Sequence, residues 1–364
     1  MPRSAPHATS SPGSDSDVFD ELRAFFGCAH VVPVGSGTTG LMLALCSIGV
    51  HGRVVIVPAL TCVAVPLAVL AAGGSPRLVD VSPADGNLDL GATAAALDGD
   101  VAAIVAVDGF GYPAPVDALR ALAGPYGCPV LEDACQAYGG RAAGGAPAGT
   151  LGDVGVISFG YAKNVWLNAG GLVLTDDAAT AGDIVALQRA PDYALLSAVR
   201  SRTTLRLVVT NREALLPYLA RWLGQLRYGF PAAQRERLPD AWRTFVAELD
   251  ESRSALVEVV ETLARFPGAQ PFGPVAGDWL PWRPSVRIAD DEVRHAFVAT
   301  LAAAGVVATR LFPVIGSPYV GRGSQPCPEA HRIAAAIVNV KTSARAAATA
   351  QLAETLSHTL GAIA

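Results

Sequence analysis

The stretch GDVGVISFGYAKNVWLNAGG carries Lys163, and no other lysine occurs before Lys341. In so apolar a setting a lysine either snorkels, laying its stem on apolar surface with its ammonium in water, or is withheld from water for chemistry. An amine withheld from water loses part of its preference for the charged form and becomes a usable nucleophile toward an aldehyde. Ser158 precedes Lys163 at the end of a β-branched run, and the pair Gly170 and Gly171 closes the loop after it. A second candidate is LEDACQAYGG, Leu131 to Gly140, where an apolar run delivers Asp133 and then Gln136. Asp133 is either the cap of a following helix or a ligand contact, because ligands of open α/β sheets sit at the carboxyl ends of strands. Gln136 could present its amide to the same ligand. The third is GSGTTG, Gly35 to Gly40, which has the glycine spacing of a dinucleotide site. Such a site also wants an acidic residue about 20 positions on, where Val57, Pro58 and Ala59 stand. The segment is therefore either a tight turn or a cradle for an anion. In a cradle, glycine lets the backbone approach and the next helix offers N–H groups and its positive dipole end, with Thr38 and Thr39 as hydroxyl donors.

These residues need elements that bring them together. From Val31 onward, short β-branched runs alternate with Ala- and Leu-rich stretches, the pattern of a parallel sheet covered by helices. Strands are predicted at Val31–Val34, Val54–Val57, Arg77–Asp80, Ala103–Val107, Pro129–Glu132, Val154–Phe159 and Gly171–Thr175, with helices starting near Thr38, Val63, Leu90, Val116 and Ala178. The fold class is α/β: a large domain with a mostly parallel seven-stranded sheet flanked by helices, plus a smaller C-terminal α+β domain. Residues 1–17, rich in Ser, Pro and Ala and without an apolar h-region, read as a flexible tail rather than a signal peptide. Residues 18–190 form the large domain, 191–240 a helical insertion rich in Arg and Leu, and 241–364 the small domain. One long helix is predicted over Ala241–Arg265, its apolar stripe running from Trp242 and Phe245 to Val259 and Val260. Further helices are predicted near Asp291–Gly305 and Ser343–Leu360. A length of 364 residues suits such a two-part chain.

With 51% hydrophobic and 16% charged residues, against roughly 25% charged in an average soluble chain, much of the sequence must be buried in a large core or a subunit interface. A net charge of −5 without a Lys/Arg-rich run excludes nucleic acid and anionic membrane surfaces as partners. The uncharged stretch Val54–Gly74 is long enough to span a membrane, but Pro58 and Pro66 punctuate it and Arg53 and Arg77 close its ends. It splits into a buried strand, a turn and an apolar helix. The six cysteines are scattered, with no C-x-x-C pair and no His at metal-ligand spacing. They read as reduced thiols of a cytoplasmic protein that binds no metal.

In chain order, an anion cradle, Asp133, Gln136, Ser158 and Lys163 fall at successive sheet edges. They are the parts that pyridoxal 5'-phosphate (PLP) requires: donors for its phosphate, a carboxylate for its pyridine nitrogen, a partner for its phenol oxygen and an amine for its aldehyde. PLP, held as an imine on Lys163, is the expected cofactor. The segments FDELRAFFGCAHVVPVGSGTTGLMLAL, PRLVDVSPADGNLDL, VDGFGYP, LEDACQAYGG and GDVGVISFGYAKNVWLNAGGLVLTDD resemble the DegT/DnrJ/EryC1/StrS family of PLP enzymes over residues 18–190. VVATRLFPVIGSPY and CPEAHRIAAAI extend the likeness more weakly. The resemblance implies PLP fold type I and an aminotransferase acting on nucleotide-linked keto-sugars or cyclitols. It further implies an amino donor as second substrate and a homodimer with shared active sites. By the same likeness Lys163 carries the imine, Asp133 partners the pyridine nitrogen, Gln136 neighbours the phenol oxygen or the ring face, and Ser158, Thr38 and Thr39 bind the phosphate.

The departures are equally specific. Cys62 stands where the family usually stacks an aromatic residue on the cofactor ring. The family's G-Y-N-x-R segment, whose Asn reaches the partner's phosphate, is absent; RYGFPAAQRERLP occupies its approximate place, making Arg227, Arg235 and Arg237 candidates to cross the interface. VNVKTSA replaces a Leu-Pro-x-His stretch near the substrate. An altered substrate half leaves open another PLP reaction, such as β- or γ-replacement, decarboxylation or carbon–carbon bond formation. A nicotinamide dehydrogenase would rest on GSGTTG alone, and a cofactor-free relative would have no use for the retained Lys, Asp and Ser. Arg310 and Lys341 are the candidates for a substrate carboxylate or phosphate.

Overall fold

The computed structural model describes residues 15–189, 229–274, 277–309, 324, 326–342 and 345–361. Its main sheet is built from β1 (His30–Val34), β2 (Val54–Pro58), β3 (Ser75–Val79), β4 (Val101–Val107), β5 (Val130–Asp133), β6 (Val154–Ser158) and β7 (Gly171–Thr175). The order across it is β1-β7-β6-β5-β4-β2-β3. β7 runs antiparallel to both neighbours, and the other pairs are parallel. Every predicted strand is present with slightly shifted ends. Alternate residues of a strand face opposite sides: Val55, Val57, Val105 and Val107 enter one apolar cluster, Val54, Ile56, Ile104 and Ala106 another. Burial on both faces is why these strands read as continuous apolar runs. Helices α2 (Gly37–Ile48), α3 (Ala64–Ala71) and α6 (Ala178–Arg189) cover one face, and α4 (Leu90–Ala96) and α5 (Val116–Ala123) the other. Among the described residues no helix is long and apolar enough to cross a membrane, and the uncharged stretch is a strand, a turn and α3.

The helix expected over 241–265 is two helices, α7 (Ala232–Ala247) and α8 (Leu249–Leu263), so the expected boundary at 240 falls inside α7. Between them Glu248 leaves helical geometry at φ −96°, ψ 2°. Its carboxylate takes the Arg345 guanidinium at 2.9 Å and the Ala346 N–H at 3.2 Å, which anchors the start of α11 (Ala346–Gly361). α7 packs Trp242 against Phe25 and Phe26 of α1 (Asp15–Phe26). α8, α9 (Asp291–Ala303) and α11 share a second, smaller core with an antiparallel sheet, β10-β11-β9-β8. Its strands are β8 (Gln270–Pro271), β9 (Ser285–Arg287), β10 (Ala308–Thr309) and β11 (Ile337–Val340). Asp80, just past β3, accepts the Glu329 and Ala330 N–H groups at 3.0 and 2.9 Å. It thereby caps α10 (Pro328–Ala336) and ties the C-terminal half to the large sheet.

Two carboxyls meet beneath the sheet edge. Glu132 is fully buried and accepts N–H groups of Gly149, Leu151 and Gly152 at 2.7, 2.7 and 3.2 Å, fixing the turn that leads into β6. Asp108, also fully buried, accepts the Ala114 N–H at 2.8 Å through Oδ1, while Oδ2 receives no donor. Three amides favour the Glu132 anion, whereas burial and the Glu132 charge push Asp108 well above the usual carboxylate range. Burial pushes Glu132 up as well, against its three amides, so of the two carboxyls Asp108 is the one whose neutral form is favoured. The unfolded chain releases the Asp108 proton near pH 4. The contribution of Asp108 is then full in acid and erodes as pH rises above that value. Replacing Asp108 with Asn, which keeps the shape without the proton, should gain on wild type by up to about 1.4 kcal/mol per pH unit as pH rises above about 4, measured as the Tm difference across pH. A difference independent of pH would place the proton elsewhere.

Candidate active site

β5 and β6 are parallel and end side by side at Asp133 and Ser158, and antiparallel β7 begins on the same edge at Gly171. The loop from β6 to β7 carries Lys163. It meets the GSGTTG turn where the Gly170 N–H donates to the Gly35 carbonyl at 2.8 Å. Ser36 caps α2: its Oγ accepts the Thr39 N–H at 3.1 Å and pairs with Thr39 Oγ1 at 3.0 Å. The packing leaves no room for side chains here. A Cβ on Gly37 would lie 2.7 Å from Cys135 Sγ and 2.8 Å from Ser158 Cβ, and one on Gly171 would lie 2.9 Å from the Gly37 nitrogen. GSGTTG, DACQ and Ser158 thus converge at the start of a twelve-residue helix, where N–H groups gather.

Each predicted residue among the described ones has a definite place. Thr39 is fully buried with its hydroxyl engaged by Ser36, whereas Thr38 is half-buried and makes no side-chain hydrogen bond. Ser158 Oγ accepts the Gly160 N–H at 3.2 Å and keeps its own hydrogen to donate. Asp133 Oδ1 accepts the Cys135 N–H at 3.1 Å; a turn, not a helix, follows it, so Asp133 is no helix cap. Buried Gln136 accepts the Phe110 N–H at 3.0 Å through Oε1, which orients its amide. Lys341 lines, with Lys163, Trp166, Arg237, Phe245 and Trp282, a cavity of about 680 Å³. Arg310 and Arg227 lie outside the described residues, and Arg235 lies over the rings of Phe19 and Phe230 at 5.2 and 5.9 Å.

Lys163 is half-buried. Its Nζ sits 4.7 Å from the ring centre of Trp282, whose Nε1 donates to the Ala162 carbonyl at 2.6 Å. On the other flank buried Tyr138 takes the Val165 N–H at 2.7 Å through its hydroxyl, and its carbonyl takes the Asn164 amide at 3.0 Å. Ala162 and Asn168 adopt φ of 56° and 68°, a strained geometry for residues with a Cβ that these contacts hold in place. Cys62 and Cys135 both sense Lys163 and Asp133 electrostatically, so the four groups share one neighbourhood; burial is the main cause that holds both thiols above their usual range. The sequence reading missed Ser36, Tyr138 and Trp282. Ser36 was legible as a Ser before a helix start; Trp282 was not, because it arrives from the C-terminal half.

The sequence profile of the DegT/DnrJ/EryC1/StrS aminotransferase family matches residues 5–191. The chain belongs to this family. It is 39% identical over 160 residues to an L-glutamine:2-deoxy-scyllo-inosose aminotransferase of Streptoalloteichus tenebrarius, covering 43% of this chain and 37% of that protein. To the protein of the same name in Micromonospora echinospora it is 35% identical over 239 residues, 64% of this chain and 55% of that one. The chain thus spans little more than a third of the first of these relatives. The likeness in structure is wider. DesI, solved with its TDP-sugar product, superposes with a TM-score of 0.73 at 27% identity over 96% of this chain and 86% of its own. The sugar aminotransferase CalS13 of Micromonospora echinospora gives 0.67 at 25% over 94% and 91%. The family's cofactor is PLP, and the residues present fit it: a glycine-lined helix start flanked by the Ser158 hydroxyl for a phosphate, a half-buried carboxylate at a neighbouring strand end, and an amine on the loop after β6.

What aims Trp282 at Lys163 is a close backbone passage. A Cβ on Gly111, which has φ +96°, would lie 2.2 Å from the Leu280 oxygen and 2.4 Å from the Trp282 nitrogen. Gly111→Ala should push the segment away and lower stability by about 2–4 kcal/mol, since backbone clash and φ strain add. Tm and tryptophan emission would read it; an unchanged Tm would mean that the passage is slack.

Proposed function

We propose that the protein is a PLP-dependent aminotransferase that passes the amino group of an amino acid to the ketone of a sugar or cyclitol, within a biosynthetic route. The observation that carries this reading is the Lys163 amine, held on a strained loop at the sheet edge in the neighbourhood of Asp133 and Cys62. PLP, when bound, supplies the electron sink that lets an amino group leave one carbon for another. Lys163 would hold its aldehyde and then shuttle the proton through Nζ at the carbon that bears the amino group, acting in turn as base and acid. The Asp133 carboxylate would keep the pyridine nitrogen protonated. Gln136 would turn the N–H of its amide toward the phenol oxygen. Ser158, Thr38 and the first turn of α2 would take the phosphate, with Thr39 acting through the Ser36 cap. The printed names of the relatives, with L-glutamine as donor and an inosose as acceptor, support an amino acid and a ketone as the two substrates. Lys341, on the shared cavity wall, would meet the acceptor.

The test is direct. Borohydride reduction of the purified yellow protein should fix the cofactor on the peptide containing Lys163, and Asp133→Ala should lower turnover by about 10²-fold or more, the size expected when charge stabilisation is lost, without lowering Tm. A label on Lys341, or full turnover in the Ala variant, would sink the assignment.

The reading extends to a cytoplasmic homodimer with sites at the subunit boundary. Free cysteines suit a reducing compartment. Next to Lys163, Tyr161 and Trp166 are 57% and 48% exposed and stack edge to face at 5.1 Å, apolar surface that a second copy would cover. Arg235 and Arg237 are the candidates to complete the partner's phosphate site; Arg237 also lines the cavity of its own chain. Sedimentation should give twice the chain mass at micromolar concentration, and mixing Lys163→Ala chains with chains changed at both arginines should restore part of the activity. A monomer would refute the dimer, and a dimer without rescue would remove the arginines from the partner's site.

A further inference from the structure

Next to Trp282 in sequence, Arg283 is buried, with only 8% of its surface exposed. Its guanidinium lies 4.7 Å from the centre of the Trp282 ring and, among the described residues, makes no hydrogen bond and no ion pair. The other enclosed arginines differ. Arg77 holds the Ala96 carbonyl and Asp98 at 2.6 and 2.7 Å, and Arg294 holds the Ile288 carbonyl at 2.9 Å and the Asp291 carboxylate. A charge with little water and no partner is costly, and loss of water is the main cause that pulls Arg283 below the ordinary guanidinium range. A second cation aggravates this. Lys163 Nζ stands at the same 4.7 Å from the same ring, so the two positive groups lie no further apart than twice that distance. An anion would relieve both.

We propose that Arg283 is the binding residue for the α-carboxylate of the amino donor, an inference that rests on the aminotransferase reading. A carboxylate fits better than a phosphate for two reasons. The guanidinium is a flat fork matched to two oxygens of one group, and it is a single charge held against an aromatic face, which balances one negative charge and not two. The phosphate cradle, moreover, is accounted for by other elements, the start of α2 and Ser158. Position fits as well: an amino acid whose amino-bearing carbon comes within reach of the Lys163 amine carries its carboxylate on that same carbon, beside the indole that both cations share. Trp282, fixed by its bond to Ala162, sets the distance between amine and guanidinium and so selects α-amino acids over amines without a carboxylate.

The experiment measures binding of glutarate, a dicarboxylate without an amino group, to the cofactor-loaded enzyme by titration calorimetry, in wild type, Arg283→Gln and Arg283→Lys. The expected result is at least ten-fold weaker binding in Arg283→Gln and partial recovery in Arg283→Lys, which keeps the charge and loses the fork. In turnover the KM for L-glutamine should rise by a similar factor in Arg283→Gln, with the acceptor's KM unchanged. Equal glutarate affinity in wild type and Arg283→Gln overturns the assignment, as does a wild type that binds inorganic phosphate there in preference to glutarate. If Arg283→Gln does not fold, the wild type and Arg283→Lys still decide it, equal affinity counting against the fork. Glutarate binding needs no turnover. A wild type that binds glutarate through Arg283 but transfers no amino group would therefore refute the aminotransferase reading alone, whereas an active enzyme indifferent to the substitution would refute Arg283 alone.

Discussion

The segment Trp279 to Trp282 runs so close to the large sheet that one added carbon would collide with it. A Cβ on Gly140 would lie 2.9 Å from the Leu280 nitrogen and 3.1 Å from the Trp279 Cα, besides the clash already noted at Gly111. This contact joins the halves of the molecule at the site. Phe110, fully enclosed and held at φ 60°, gives its N–H to Gln136 and takes the Trp282 N–H on its carbonyl at 3.0 Å. A left-handed phenylalanine is costly, and here the cost is offset because both ends of its peptide are bonded, one to each half. Two glycines, one strained residue and two hydrogen bonds therefore set where Trp282 stands, and Trp282 sets where Lys163 and Arg283 stand.

Period-two alternation separates structure from chemistry at the end of β5. Neighbours on a strand face opposite ways. Glu132 turns inward, fully buried, and spends its oxygens on the amides of Gly149, Leu151 and Gly152, while Asp133 turns to the half-buried edge and accepts the Cys135 N–H. A slip of one residue would exchange them, leaving the turn into β6 without its anchor and the site without its carboxylate. Asp108, pushed toward its neutral form by burial and by the Glu132 charge, lessens the crowding of like charge behind β5. The register of this one strand is fixed by electrostatics as much as by apolar packing.

The large sheet was legible because its strands are buried on both faces and written in β-branched residues, and because glycine, Asp and Lys fall at their ends. Ser158, Asp133, Gln136 and Lys163 could be placed on one edge from chain order alone. Less was legible where position depends on distant contact. The break at Glu248 is invisible in an apolar stripe that continues across it; it shows only once Arg345 and Ala346 are seen to claim the carboxylate. Strands β8 and β10 have two residues each, too few for any periodicity. PWRP gives no sign that its tryptophan will face a lysine more than a hundred positions earlier, because that meeting depends on glycines in two other loops.

Cys62 gains its meaning from the same geometry. A thiol in place of a ring removes an aromatic face from the site, and Trp282, though aromatic and adjacent, does not supply a substitute: its nitrogen is committed to Ala162 and its ring already meets two cations. On the proposed reading, stacking, worth about 0.5–1.5 kcal/mol beyond area burial between two rings, would contribute less to retention of the cofactor than in relatives with a ring at that position. On the same reading, the remaining anchors would be the amine of Lys163, the carboxylate of Asp133 and the phosphate cradle. The packing around the cradle is tight as well, since a Cβ on Gly37 would lie within 3 Å of both Cys135 and Ser158.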